Sequence, residues 1–204
     1  MIAIVDCGIG NLRSVKNAFD LLKADAFITS DPEAARKADK IVLPGVGAFE
    51  DAMNGLRSRG LLDAVLESAR GGKPYLGICL GMQILLDSSQ EGGFHEGLGL
   101  IGGEVVRFDV DRGEPRLKVP HMGWNQVEVV RPAPIFKGLE GDHFFYFVHS
   151  FYASPRNRDV VAGSTEYGHP FASAIWRDNV FATQFHPEKS QKNGLRMLRN
   201  FIEL

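Results

Sequence analysis

What most constrains this chain is a rhythm in its first half: short, unbroken apolar runs that each end in a turn and give way to a helical pattern. Ile2 to Val5 stops at Asp6, Ile41 to Leu43 breaks at Pro44-Gly45-Val46-Gly47, and Tyr75 to Ile78 runs into Cys79. Apolar runs of this kind, without polar alternation, fit strands buried on both faces. From Asn11 to Ala24, Leu12, Val15, Phe19 and Leu22 recur at three and four residues, one apolar stripe on a helix. Asp31-Pro32-Glu33 reads as a helix start, with Asp31 as the cap and Pro32 at the first helical position. Helical patterns then run through Leu56 and from Leu61 to Ala69. Strands alternating with helices require a mainly parallel central sheet with helices on both faces, an α/β fold.

After Gly92 the texture changes. Val105 to Phe108, Val127 to Val130, Phe144 to Val148, Val160 to Gly163, Ala172 to Trp176 and Val180 to Phe185 are strand-like, joined by turns such as Arg177-Asp178-Asn179. This predicts an antiparallel extension of the sheet. A last helix, about Gln191 to Ile202, carries Leu195, Leu198 and Ile202 on one stripe. With no repeat or linker in view, 204 residues at 44% hydrophobic are expected to form a single domain spanning 1–204.

A formal charge of -2 supplies no positive field for a phosphate backbone or an anionic membrane, so neither nucleic acid nor membrane is expected as a partner. The longest mostly apolar stretch, Tyr75 to Leu86, is short of the ~20 residues of a spanning helix. The ends carry no targeting or lipidation signal, which gives the cytoplasm as the expected location. Two cysteines, Cys7 and Cys79, are too few for a disulfide framework and wrongly spaced for a zinc knuckle. Each is expected as a free thiol.

Cys79 sits in Gly77-Ile78-Cys79-Leu80-Gly81, after a strand and before the helical run Met82 to Asp87. Small residues two before and two after a nucleophile allow the sharp strand-to-helix turn that projects one side chain, as in the Gly-x-Ser-x-Gly elbow. The helix N-terminus favours the thiolate, the form that attacks carbonyl carbon. A thiol needs a base, and among six histidines His186 stands out in His186-Pro187-Glu188, directly after an apolar strand. On extended chain, residues two apart point to one side, so Glu188 can hold the second ring nitrogen of His186. Gly45-Val46-Gly47 can aim a backbone amide at an oxyanion, with the amide of Leu80 as the other donor. Each motif alone has a plain structural alternative: a buried thiol, a surface His-Pro-Glu turn, an ordinary strand-to-helix connection. Gly8-Ile9-Gly10 lacks the third glycine of a dinucleotide loop, Arg13 standing there, and is discounted. Phe144 to Phe147 is read as core.

Three separated segments carry a family resemblance: Pro44-Gly45-Val46-Gly47-Ala48-Phe49, Gly77-Ile78-Cys79-Leu80-Gly81-Met82-Gln83, and Gln184-Phe185-His186-Pro187-Glu188-Lys189-Ser190. They resemble the signature blocks of class I glutamine amidotransferases. Pro120-His121-Met122-Gly123-Trp124-Asn125 and Tyr146-Phe147-Val148-His149-Ser150 narrow the resemblance to the family's glutaminase subunits of imidazole glycerol phosphate synthase. The resemblance covers essentially the whole chain and implies a flavodoxin-like class I glutaminase fold. It implies Cys79 as nucleophile, His186 as acid/base and Glu188 as its orienter, with Val46, Gly47 and Leu80 forming the oxyanion hole. Glutamine would be held by Gln83, by Glu91 at its ammonium and by the backbone of Ser150 and Phe151 at its carboxylate. No metal or organic cofactor is implied. Ammonia would pass to a cyclase subunit in a heterodimer, with Asn11, Trp124, Tyr146 and Lys189 near the junction. Phe151 stands where the family often has Tyr. Two other classes share parts of the pattern: a stand-alone gamma-glutamyl thiol hydrolase, and a non-catalytic flavodoxin-like binding module.

Overall fold

The computed structural model describes residues 1–109 and 118–204. In chain order the elements are β1 (Ile2–Val5), α1 (Leu12–Leu21), β2 (Ala26–Thr29), α2 (Pro32–Lys37), β3 (Lys40–Gly45), α3 (Phe49–Ser58), α4 (Leu61–Arg70), β4 (Tyr75–Cys79) and α5 (Leu80–Gln83). There follow β5 (Ser88–Ser89), β6 (His95–Glu96), β7 (Gly103–Arg107), β8 (His121–Gln126), β9 (Glu128–Val129), β10 (Phe144–His149) and β11 (Phe151–Pro155). The chain closes with β12 (Val161–Glu166), β13 (Pro170–Arg177), β14 (Val180–Thr183) and α6 (Gln191–Ile202).

One large sheet has the order β2-β1-β3-β4-β14-β13-β12-β9. Its first five strands are parallel and the rest antiparallel. The parallel part follows the doubly wound order of flavodoxin-like sheets, in which ligands lie beyond the carboxyl ends of the strands. All four residues of β1 are buried. Ala3 and Val5 pack with Leu56, Leu61 and Val65 of α3 and α4, whereas Ile2 and Ile4 pack with Phe19 of α1 and Leu198 and Phe201 of α6. Period-two alternation therefore sends successive residues of one strand into two cores. α2 starts as expected, Pro32 at its first turn and the Asp31 carboxylate accepting from the Glu33 amide. Among the described residues no helix is long and apolar enough to cross a membrane.

Several boundaries differ from the sequence expectation. β3 does not break at Pro44 but continues to Gly45, because Pro44 and Gly45 pair with Ile78 and Cys79 of β4. The described partners of β1 on the opposite edge end at Val42, so the amide that proline lacks is not needed there. The helix after Cys79 is the single turn of α5 rather than a run to Asp87. The carbonyls of Ile84, Leu85 and Leu86 accept from Leu98, Ile101 and Gly99, which takes them out of helical pairing. β14 stops at Thr183 and β9 is only two residues long. β2, β8 and β11 were not legible as strands. β8 and β10 form a separate antiparallel ribbon, with His121 opposite His149 and Trp124 opposite Tyr146. β11 joins β7, β5 and β6 in a small third sheet.

Candidate active site

The carboxyl ends of β3 and β4 bring Gly45 and Cys79 side by side. Cys79 has φ 55° and ψ -107°, a conformation that L side chains rarely adopt and that turns its sulfur out of the strand. The flanking glycines make the turn possible by absence of bulk. A Cβ on Gly77 would stand 2.5 Å from the Gly81 carbonyl oxygen, and one on Gly81 would stand 1.8 Å from that of Leu43. The elbow is thus a three-way backbone contact of β3, β4 and α5. At one turn, α5 supplies less dipole than the longer helix expected.

His186 and Glu188 do meet, Nδ1 lying 2.8 Å from Oε1, both side chains almost fully buried. The reason differs from extended-chain geometry: Pro187–Lys189 is a turn of 3-10 helix that folds Glu188 back on the ring. This turn is tied to β10 twice. The His186 amide donates to the Tyr146 carbonyl at 2.9 Å, and Ser190 Oγ donates to the His186 carbonyl while accepting from the Tyr146 amide. Nε2 of His186 and Oε2 of Glu188 have no hydrogen-bond partner among the described residues. Burial pulls the His186 pKa down. The Cys79 sulfur and then the Glu188 carboxylate more than reverse this, so the net direction is upward and the charged imidazolium is favoured.

A cavity of about 330 Å³ opens at the sulfur, at the low end of the ~300–1,000 Å³ typical of small-molecule sites. Val46, Gly47, Leu80, Gln83, Glu91, Ser150 and Phe151 all line it with Cys79. Gly47 has φ 104° with open space where a Cβ would point, so conformation rather than room requires glycine there. Gln83 Nε2 donates to the Phe151 carbonyl at 2.8 Å and to Gln184 Oε1 at 3.2 Å, which leaves its own carbonyl oxygen as the group it can offer a ligand. Glu91 Oε2 accepts from the Phe49 amide at 2.8 Å, which fixes the carboxylate at the cavity wall. Among the described residues no group of three His, Cys, Asp or Glu is placed to hold a metal ion.

Sequence reasoning missed several residues of this site. Gln184, fully buried, donates Nε2 to the Cys79 sulfur at 3.6 Å. Its signal was its place two residues before His186. His149 also lines the cavity, and behind it runs a hydrogen-bonded line. His149 Nδ1 meets the Phe151 carbonyl at 2.8 Å, His121 Nδ1 meets His149 Nε2 at 3.0 Å, and Asn125 Nδ2 meets His121 Nε2 at 3.1 Å. Because a carbonyl only accepts and an amide nitrogen only donates, the protons are fixed: Asn125 donates to His121, His121 to His149, and His149 to Phe151.

Both imidazoles are neutral in this line. Burial pushes His121 down to about 4 and is also the main cause that takes His149 down to about 3. An unfolded histidine titrates near 6.5, so as pH falls below that value the unfolded chain binds protons on these rings that the native state refuses. Stability is present above pH ~6.5 and is lost toward pH ~4 and then ~3. The raised pKa of His186 acts elsewhere, since its contribution is complete below pH ~6.5 and fades only as pH rises. The stability of the wild type measured by urea unfolding is therefore expected to fall as the pH is lowered from ~6.5 to ~5. In His121→Asn the loss per pH unit is expected to shrink by up to one proton, about 1.4 kcal/mol. Identical slopes in the two proteins contradict this.

Outside the cavity, Trp124 is 48% exposed and its ring lies 6.2 Å from that of Tyr146, over which Lys189 Nζ sits at 5.7 Å. Asn11 caps α1, accepting from the Ser14 amide at 3.2 Å, and α1 packs against the Pro187–Lys189 turn.

Residues 3–204 match the family described as glutamine amidotransferase class-I. The chain is 54% identical over 206 residues to a protein of Syntrophotalea carbinolica named imidazole glycerol phosphate synthase subunit HisH, with all of both chains covered. It is 53% identical over 204 residues to the Methanothermobacter thermautotrophicus protein of that name, covering 100% of this chain and 98% of the relative. In fold it resembles a solved glutamine amidotransferase at TM-score 0.76 and 21% identity, covering 99% and 97% of the two chains. A putative GMP synthase subunit from Thermoplasma acidophilum matches at TM-score 0.73 and 24% identity, covering 99% and 92%. With its cysteine elbow, its paired histidine and glutamate and its family match over nearly the whole length, this chain belongs to the class I glutamine amidotransferases.

Proposed function

We propose that residues 1–204 act as one glutaminase domain, the glutaminase subunit of imidazole glycerol phosphate synthase, and that Cys79, His186 and Glu188 carry the reaction. The observation that supports this best is the state of His186. Glu188 holds Nδ1, Nε2 is buried without a partner, and the Cys79 sulfur is close enough to raise the ring's pKa. Cys79 thiolate attacks the carboxamide carbon of glutamine, and the amides of Leu80 and the Val46-Gly47 turn receive the oxyanion. Collapse breaks the C–N bond, His186 protonates the departing nitrogen, and ammonia leaves a thioester. His186 then takes a proton from water, whose oxygen attacks the thioester carbon and releases glutamate and the thiolate. Glu91 and the Gln83 carbonyl suit the substrate ammonium, and the Ser150 and Phe151 amides its carboxylate.

The relatives' shared name, a synthase subunit, supports a second protein as acceptor. The proposed acceptor is a cyclase subunit that uses the ammonia to make imidazole glycerol phosphate and an aminoimidazole carboxamide ribotide in histidine biosynthesis. Trp124, Tyr146 and Lys189 form one surface cluster suited to docking it, and Asn11 is assigned to the same junction. The test is to co-purify the chain with such a cyclase and compare glutamate formed with nitrogen incorporated. A one-to-one ratio supports the proposal; hydrolysis of gamma-glutamyl peptides without transfer overturns it.

A graded loss is expected within the triad. His186→Ala removes the proton carrier and is expected to lower turnover by roughly a thousandfold or more, whereas Glu188→Gln keeps shape and a hydrogen bond and is expected to be milder. Steady-state turnover numbers with saturating glutamine check this ordering. Equal losses would give Glu188 a role beyond orientation.

A further inference from the structure

The line from Asn125 through His121 and His149 ends on a carbonyl at the cavity wall. Phe151 stands opposite Arg107 in the β11–β7 pair, and the flanking bond runs from the Phe108 amide to the Ser150 carbonyl at 3.2 Å. In an antiparallel ladder this makes Phe151 a non-hydrogen-bonded position, so its own N–H and C=O both point away from β7. Its carbonyl accepts from His149 Nδ1 and from Gln83 Nε2, both at 2.8 Å. Two donors fill both lone pairs, and the peptide cannot rotate without leaving two buried donors unpaired.

We propose that His149, backed by His121, is a positioning residue for glutamine, holding the Phe151 carbonyl so that the Phe151–Tyr152 peptide is fixed and, through the Phe151 dihedrals, the Phe151 N–H and the Gln83 amide keep the orientation the substrate meets. This rests on the glutaminase reading of the same cavity. His121 contributes by tautomer. With its Nδ1 proton committed to His149 Nε2, the only proton left to His149 is the one on Nδ1 that reaches Phe151. The Asn125 amide, itself held by the Glu166 carbonyl at 2.9 Å, closes the outer end. Neither imidazole needs to touch a reacting atom, so the effect belongs to binding rather than to the chemical step.

The test is steady-state glutaminase kinetics on the complex with the cyclase, comparing wild type, His149→Leu, His149→Asn and His121→Leu. His149→Leu is expected to raise the glutamine KM roughly tenfold, the worth of an oriented buried hydrogen bond, with kcat changed less than about threefold. His149→Asn places an amide nitrogen near the Nδ1 position and is expected to recover most of the KM. His121→Leu leaves the cavity wall intact and is expected to raise KM by a smaller factor, which reads the proposal even if His149→Leu fails to fold. Alkylation of Cys79 by iodoacetamide is expected at wild-type rate in the variants, while a glutamine-shaped chloroketone needs higher concentration to saturate. A fall in kcat at unchanged KM, or no difference between His149→Asn and His149→Leu, overturns the positioning role. Failure of the wild-type complex to hydrolyse glutamine overturns the glutaminase reading instead.

Discussion

Replacing Cys79 by alanine is expected to remove glutamine hydrolysis, lowering turnover by at least about a thousandfold, while the protein folds and still associates with its acceptor. In the proposed mechanism the sulfur supplies the electron pair that makes the thioester, and no other described thiol can take its place. Cys7 is 2% exposed, and burial holds its pKa up, so it stays a neutral thiol in the core. Cys7→Ala is therefore expected to leave turnover within a factor of about three. Alanine at 79 has a Cβ just as cysteine does, so the elbow conformation is no harder to reach. A complex carrying Cys79→Ala is expected to cyclise when given ammonium salts, because the acceptor step then has its nitrogen without hydrolysis. Glutamate release by purified Cys79→Ala at near the wild-type rate would falsify the assignment.

Gly81→Ala is expected to be one of the most damaging single methyl additions among the described residues, matched in closeness of contact by Gly194→Ala, whose Cβ would stand 1.8 Å from the Pro187 carbonyl oxygen. At Gly81 the added carbon would lie 1.8 Å from the Leu43 carbonyl oxygen and 2.9 Å from its carbon, both backbone atoms of a central strand. No rotamer can relieve that contact, so α5 must separate from β3, pulling Leu80 away from Gly45 and opening the core between them. Overpacking that forces backbone to move costs about 3 kcal/mol or more, which for a chain of this size lowers Tm by roughly 6–12 °C. Activity is expected to fall further than stability explains, since the Leu80 amide moves with the helix. A melting temperature within about 2 °C of wild type would show that the three-way contact tolerates a methyl group.

The parallel half of the fold was legible because its inner strands are buried on both sides and so appear as uninterrupted apolar runs. β2 escaped because it is an edge strand, with Phe27 half-buried and Ile28 42% exposed, so its pattern carries no clear period. β8 escaped for a related reason: Met122 and Trp124 face outward on a ribbon, and what makes it a strand is its partner β10, some twenty residues away in sequence. At the site, the pairing of His186 with Glu188 was readable but its geometry was not, since the tight turn through Pro187 brings the groups together differently from extended chain. The expected role of Gln83 as a general polar contact narrows to its carbonyl, because both amide protons are used inside the protein. His121 and His149 gave no local signal at all. Their contact is created by strand register across 28 positions, and register is a property of the assembled ribbon rather than of either segment.

The left-handed backbone at Cys79 sets stability against chemistry at one position. A non-glycine residue in so sparsely populated a region costs on the order of 1–3 kcal/mol, and glycine would release that strain. Inactivation by Cys79→Gly is thus downhill for the fold, unlike most losses of a core residue. In a lineage that no longer needed hydrolysis, drift at this site would run toward glycine and toward a firmer protein. Cysteine at this position is accordingly kept for turnover in the proposed reaction, because relief of backbone strain alone would favour glycine.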